Sequence, residues 1–159
     1  MFEFFFNNER AYTLDVANFI LNVADCNKIS VDNMKLQKVM YYLQGEWLAH
    51  YSVPLFPSEI VAWKFGPAVP KVHYTFSGFG IDDLVKHRKK WHLNDLCMAE
   101  IEYMEKIAFR YLKYDKKILI RMSISESPWL KATHNGTIID GETVIDIESM
   151  KKHFCVAKT

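Results

Sequence analysis

A chain of 159 residues is long enough for one compact domain with a core and rather short for two. Half of its residues are hydrophobic and a quarter are charged, which is typical of soluble globular proteins and excludes a disordered chain. The formal net charge of +1 gives no global reason to expect a nucleic acid or an anionic membrane as the partner.

The N-terminal segment and the hydrophobic runs bear on where the protein acts. MFEFFFNNER lacks the basic start of a signal peptide, and Glu3 breaks its apolar run. No window of the sequence approaches the roughly 18 apolar residues of a membrane span. We therefore expect a cytoplasmic protein without a membrane partner, made of an N-terminal extension over residues 1–11 and a single domain over residues 12–159.

Two helices are predicted in the first third of the chain. Thr13 is a candidate N-cap of the first, because apolar residues follow it at helical spacing. Asp32 is a candidate N-cap of a second, longer helix that ends before Pro54 and Pro57. One apolar stripe marks the buried face of this second helix, formed by Leu36, Val39, Met40, Leu43 and Trp47.

A strand, a turn and a helix start are predicted next. Alternation over residues 60–65 predicts a short strand, which Gly66-Pro67 would end. Pro70 suits the first turn of a helix, where its missing N–H costs nothing, and Val69 is its expected cap. This segment therefore predicts a rigid corner between a strand and a helix.

The second half of the chain is predicted to be mostly helical. Residues 82–92 are polar and basic and are expected to form a surface excursion. Asn94 is a candidate cap of a third long helix with Cys97 on its buried face, and a short helix is expected around residues 118–122.

Three further signals follow towards the C-terminus. Ser127-Pro128-Trp129 has the composition of a helix start, with Ser127 as the cap. Turn dipeptides predict a small hairpin near residues 137–145, and Asp146 is a candidate cap of a last helix. The predicted fold class is mainly α with a minor β element, in one compact helical domain.

The residues that often carry chemistry show no catalytic pattern. The three cysteines, Cys26, Cys97 and Cys155, are odd in number and lack a CxxC spacing, so we expect free, buried and inert thiols in a reducing compartment. The histidines lack metal-binding spacings, and no phosphate-binding or nucleophile motif is present. We expect no metal and no cofactor, and a Cys–His catalytic pair that meets only in space stays open.

One basic cluster suggests an anion-binding surface. The run KHRKKWH contains four cationic side chains and a tryptophan that could stack on a base: Lys86, Arg88, Lys89, Lys90 and Trp91. The alternative is a solvated loop, which the near-zero net charge favours. An anionic protein partner could use the same patch.

Two runs carry a resemblance to a known family. MKLQKVMYYLQGEWLAHYSVPLF, followed by AWKFGPAVPKVHYTF, resembles the Panacea, or SocA-like, domain family, often labelled phage-associated. The resemblance extends from about Tyr12 to Phe154, and only the 82–92 excursion and Glu46 depart from the family pattern. The matching positions are Leu36, Gln37, Lys38, Tyr41, Gln44, Gly45, Leu48, Trp63, Gly66, Pro67, Val69 and Pro70, with Pro128 and Trp129 further on.

The resemblance implies a non-enzymatic binding protein of a bacterial or phage-infected cell. Family members act as antitoxins that bind a cognate toxin, and one kind delivers its toxin to the ClpXP protease. The alternatives are a phage-borne inhibitor or protease adaptor that acts on a host protein, and a nucleic-acid-binding regulator that uses the basic cluster.

The proline-stiffened corner is the expected contact surface. Rigid aromatic and cationic groups on a fixed backbone favour binding because they lose little entropy on burial. The candidate contact residues are Lys64, Phe65, Pro67, Lys71, His73 and Tyr74. Trp47, Trp63 and Trp129 are expected in the core instead.

Overall fold

A computed structural model describes residues 11–157 of the chain. Over these residues it contains seven α-helices and one small antiparallel sheet, which confirms the mainly α prediction. The strands are β1 (Val61–Trp63) and β2 (Gly66–Ala68). The helices are α1 (Thr13–Cys26), α2 (Asn33–Tyr51), α3 (Pro70–Phe76), α4 (Met98–Leu112), α5 (Lys116–Ile124), α6 (Ser127–Ala132) and α7 (Ile147–Ala157).

Apart from Ala11, whose N–H donates to the carbonyl oxygen of Leu55 at 2.9 Å, the predicted N-terminal extension lies outside the described residues. In the range 11–157, no helix has both the length and the apolar character needed to cross a membrane.

The centre of the fold is α2, which is buried on every side. Asp32 caps it as predicted, because the Asp32 carboxylate accepts the Lys35 N–H at 2.9 Å. All residues from Leu36 to Leu48 are buried, so the predicted single apolar stripe was too narrow. Helices α1, α3, α4, α5 and α7 and strand β2 all contact α2. A helix enclosed in this way must bury its polar side chains as well.

The predicted strand over 60–65 is half of a hairpin. Strand β1 pairs antiparallel with β2, with Val61 opposite Ala68 and Trp63 opposite Gly66, so Lys64 and Phe65 form a two-residue turn. Gly66 has φ +108°, in the left-handed region that favours glycine. The sequence signal at Gly66-Pro67 therefore starts a second strand and does not simply end the first.

The predicted hairpin near residues 137–145 is wrong, because this segment pairs with β1 and not with itself. The Ala62 N–H donates to the carbonyl oxygen of Thr143 at 2.9 Å, and the Ile145 N–H donates to that of Ile60 at 2.7 Å. Val144 thereby makes an isolated antiparallel bridge with Val61. The pairing spans about eighty residues of sequence, so no local turn signal could predict it.

Three predicted helix caps are misplaced. Thr13 and Ser127 are the first helical residues of α1 and α6 and do not cap them. The Thr13 hydroxyl instead shares a hydrogen bond with that of Ser58 at 2.6 Å. Asn94 is three residues too early, since Cys97 is the N-cap of α4.

The remaining helix-start signals are confirmed. Val69 precedes α3 with Pro70 in its first turn, and Asp146 accepts the Ser149 N–H at 3.0 Å at the start of α7. Met150 and Phe154 of α7 are buried. A short helix, α5, covers the predicted 118–122 region.

The prediction of buried cysteines is wrong. All three thiols are exposed. Cys97 precedes α4 and so does not lie on its buried face, and Cys26 is the last residue of α1. Cys155 follows the buried Phe154 and lies on the outer side of α7. An apolar neighbour in sequence therefore does not imply burial at a helix end.

The segment 82–92 is anchored to the domain and is not a free excursion. Leu84 and Val85 are buried, and the Leu84 N–H donates to the carbonyl oxygen of Val31 at 2.8 Å. The Asp83 carboxylate accepts the Val31 N–H at 3.0 Å. Trp91 contacts Phe19 edge to face, with ring centroids 5.1 Å apart.

Candidate partner-binding pocket

A pocket of about 420 Å³ opens between the start of α2, the β1–β2 hairpin and the loop at residues 139–141. Its walls are mostly apolar side chains, and two lysines are among its lining residues. The apolar lining is Met34, Trp63, Phe65, Ala68 and Ile139, and the charged or titratable lining is Lys38, Lys64, His73 and Asp140. A concave apolar site with a few polar groups is the usual form of a binding pocket.

Trp63 forms a braced wall of this pocket. Its indole N–H donates to the carbonyl oxygen of Gly141 at 3.0 Å, and its own carbonyl oxygen accepts the indole N–H of Trp129 at 2.9 Å. The His73 ring contacts the Trp63 ring edge to face at 4.9 Å. Trp47 and Trp129 are in the core as predicted, whereas Trp63 is only half-buried. The hairpin, α6 and the 139–141 loop therefore hold one another in place.

The structure brings most of the predicted contact residues to one region. Phe65 is 54% exposed at the tip of the hairpin, and Tyr74 is 67% exposed on α3. Lys64 and Lys71 are exposed, and His73 is half-buried. The Lys64 ammonium lies over the Phe65 ring, 5.7 Å from its centroid. These five residues remain candidates for partner contact.

Pro67 does not belong to that exposed set. It lies in β2 and is buried, since the hairpin packs this strand against α2 and α5. Its carbonyl oxygen accepts a hydrogen bond from the Lys38 ammonium at 3.0 Å. Pro67 therefore contributes to the support of the pocket and not to its surface.

Lys38 is the unusual residue of the pocket. Its side chain is only 2% exposed, yet it lines the pocket from α2. Burial lowers the pKa of Lys38 to about 7, and the charge of Asp32 opposes this shift. Gly66 lies over the methylene chain, because a Cβ on Gly66 would be 2.9 Å from the Lys38 Cε.

Two glutamines of the family motif support the surrounding backbone. Gln37 accepts the Val69 N–H at 2.8 Å and donates to the Asn33 side chain at 2.8 Å. Gln44 accepts the Leu55 N–H at 2.8 Å and donates to the carbonyl oxygen of Phe56 at 2.9 Å. Buried backbone groups of two loops are thereby satisfied from α2.

A second cluster surrounds the carboxylate of Glu126, just before α6. The Tyr41 and Tyr42 hydroxyls each donate to Glu126 at 3.1 Å, and the His153 ring lies 3.7 Å from its other oxygen. Burial raises the pKa of Glu126 to about 7, although both tyrosine hydrogen bonds act in the opposite direction. Burial lowers the pKa of His153.

The predicted anion-binding cluster is largely engaged within the domain. Arg88 pairs with Asp25 at 2.8 Å, and Lys86 lies 3.6 Å from Asp82. Trp91 is half-buried against Phe19, so its ring is not a free stacking platform. Lys89 and Lys90 remain exposed. Within residues 11–157, no group of three or more His, Cys, Asp or Glu side chains is placed to hold a metal ion.

Sequence reasoning missed two parts of this site. Lys38 was a family position, but its burial was not predicted, although its apolar neighbours in α2 carried a signal. The loop with Ile139 and Asp140 was assigned to a hairpin that does not form, and only its long-range pairing with β1 places it at the pocket.

A buried central helix with the Lys-Leu-Gln-Lys run and a Trp-Lys-Phe-Gly-Pro hairpin define a small helical domain with a preformed pocket. The chain belongs to the family described as Antitoxin SocA-like, Panacea domain, whose model matches residues 36–130. It is 40% identical over 65 residues to Antitoxin SocA of Caulobacter vibrioides (strain NA1000 / CB15N).

That match has a limited extent. It covers 41% of this chain and 35% of the length of the Caulobacter protein. No solved structure matches the chain significantly. The family resemblance predicted from the sequence is thereby confirmed, on the same residues of α2 and the hairpin.

Proposed function

We propose that this protein is a non-enzymatic antitoxin that neutralises a cognate toxin by binding it at the hairpin pocket. The observation that carries the proposal is an apolar pocket lined by the exposed Phe65, with the exposed Tyr74 next to Trp63 of its wall at a ring-centroid distance of 6.2 Å. Exposed apolar groups around a concave site are typical of protein-binding surfaces. Membership of an antitoxin-like family supports the nature of the partner.

The construction of the hairpin favours binding without rearrangement. Gly66 is held against Ser123 and Lys38, and Trp63 is fixed at both its indole N–H and its carbonyl oxygen. A surface that is already ordered loses little conformational entropy when it binds. The proposal therefore assigns no cofactor, no catalytic residue and no large conformational change.

Co-expression with the toxin gene encoded next to this one tests the proposal. The wild-type chain should restore growth and co-purify with the toxin. The Phe65→Ala/Tyr74→Ala double variant should lose both effects while it stays folded, because its changes are confined to exposed side chains. Failure of the wild type to rescue growth or form a complex would contradict the proposal. A host-lysate pull-down that retains ClpX would separate delivery to ClpXP from neutralisation by binding alone.

A further inference from the structure

We infer that the hairpin pocket takes an apolar side chain of the partner protein together with a neighbouring carboxylate, and that this carboxylate pairs with the Lys38 ammonium. The inference rests on the proposed function and specifies the chemistry of the partner segment. It commits to an acidic residue, Asp or Glu, adjacent in that segment to a large apolar one.

The Lys38 ammonium has more hydrogen-bond donors than the described residues use. It can donate three hydrogen bonds, and among the described residues it makes one, to the carbonyl oxygen of Pro67 at 3.0 Å. No carboxylate of the described residues lies within ion-pair distance of Lys38, and the nearby Asp32 is already paired with Lys116. A buried cation without a counter-ion is costly, and a ligand carboxylate would supply the missing partner.

The charged side chains that line the pocket are mainly basic. Lys64 also lines the pocket, so a second lysine faces the same space, and His73 adds an imidazole whose pKa is lowered by burial. Among residues 11–157, the carboxylate that lines it is that of Asp140, which accepts the N–H groups of Glu142 and Thr143 and the Thr143 hydroxyl. Its charge is thus directed into its own loop. The pocket is complementary to an anion and not to a cation.

The rest of the pocket surface is apolar. Met34, Trp63, Phe65 and Ile139 give an apolar lining, and about 420 Å³ accommodates one large side chain beside a carboxylate. A small inorganic anion would leave this lining in contact with water. An apolar residue with an acidic neighbour uses both features of the pocket.

The stability of a Lys38→Met variant separates this role from a structural one. Methionine has a similar length and no charge, so it should fill the same space without the desolvation cost. We expect the variant to unfold at a higher denaturant concentration than the wild type at neutral pH and yet to bind its partner on the order of tenfold more weakly. Lys106→Met, at an exposed position of α4 outside the pocket lining, is the matched control and should change neither property.

The direct test is an NMR titration of the full chain with two dipeptide probes, N-acetyl-Leu-Glu-amide and N-acetyl-Leu-Gln-amide. The acidic probe should bind roughly tenfold more tightly, since it adds a charge-assisted hydrogen bond that the amide lacks. The shifted signals should be those of Trp63, Phe65 and Ile139. The preference for the acid should vanish in Lys38→Met and persist in Lys106→Met.

Several results would overturn the inference. These are equal affinity for the two probes, shifts outside the pocket, a preference that survives Lys38→Met, or no binding of the acidic probe up to its solubility limit. Tighter binding of phenylacetate than of the acidic dipeptide would also overturn it, because the pocket would then be a site for small organic acids. No arm of this titration uses a toxin. Growth rescue without acid selectivity therefore contradicts the inference alone, and acid selectivity without rescue contradicts the antitoxin proposal.

Discussion

Gly45 of α2 lies directly against the ring of Phe154 in α7: a Cβ placed on Gly45 would be 2.1 Å from Cε2 of that ring. The contact explains why a glycine is needed in the middle of a helix, where it otherwise costs stability. It also fixes how closely α7 approaches the buried central helix. Phe154 in turn contacts Tyr41 and Tyr42 edge to face, which extends the contact to the Glu126 cluster.

We expect Gly45→Ala to destabilise the fold by about 1–3 kcal/mol, because the added methyl group must displace either the Phe154 ring or the whole of α7. The measurement is urea unfolding followed by circular dichroism. Gly78→Ala is the matched control: nothing lies within 4 Å of a Cβ at that position. Equal unfolding midpoints for the two variants would contradict the close approach of α2 and α7.

Gln44 is expected to be essential for the loop at residues 55–56. In Gln44→Leu the Leu55 N–H and the Phe56 carbonyl oxygen lose their partner inside the core. Leaving buried polar groups unsatisfied should cost about 2–4 kcal/mol in the free energy of unfolding. Hydrogen exchange at the Leu55 amide provides a local readout, and unchanged protection there would refute the assignment.

Stability should pass through a minimum near pH 7. The pKa of Glu126 is raised from 4.5 to about 7. Between these pH values the folded state keeps a proton that the unfolded state releases, so the free energy of unfolding falls as the pH rises. The pKa of Lys38 is lowered from 10.5 to about 7. Above pH 7 the unfolded state keeps a proton that the folded state releases, so the free energy of unfolding rises with pH. His73 and His153, whose pKa values are lowered by burial, make the falling limb shallower.

Single variants test whether Glu126 causes the falling part of this pH profile and Lys38 the rising part. Glu126→Gln retains acceptors for the tyrosine hydroxyls and should remove the falling limb, with a gain on the order of 3 kcal/mol above pH 7. Lys38→Met should remove the rising limb. Chemical unfolding at a series of pH values up to about pH 9 measures both, before the tyrosines titrate. A flat wild-type profile would mean that neither group is buried as described.

The basic segment should be dispensable for partner binding. Lys89→Ala/Lys90→Ala removes the two exposed cations of this segment for which the described structure shows no ion pair, and we expect unchanged toxin neutralisation. We also expect no DNA binding by the wild type, even at low salt, where phosphate contacts are strongest. DNA binding that weakens steeply with salt and is lost in the double variant would favour the regulator alternative.

The structural features that were predicted correctly from the sequence depend on residues close to one another in the chain. Asp32, Val69-Pro70 and Asp146 were found because a cap or a first-turn proline acts within three or four positions. The segment at residues 143–145 was misassigned because its partner strand lies about eighty residues away. The cysteines were misplaced because burial at a helix end depends on which neighbour covers it.

The pocket likewise combines residues that a local sequence signal predicted with a residue whose burial depends on the whole fold. Phe65 and His73, which line the pocket, were predicted as contact residues from the proline-stiffened run, whereas Lys38 was predicted only as a residue of the family motif. Its importance arises from the enclosure of α2 by six other elements, which is a property of the whole fold. Family resemblance located the right segments without indicating that Lys38 and Phe65 line one pocket.

The affinity of the purified toxin complex tests the central claim most directly. Calorimetry should be carried out with the wild type, with Phe65→Ala and with Ile81→Ala, whose side chain is 93% exposed outside the pocket. Phe65→Ala should weaken the complex by on the order of thirtyfold, as expected of a central aromatic contact, while Ile81→Ala binds like the wild type. Equal dissociation constants for Phe65→Ala and the wild type would contradict binding through the hairpin pocket.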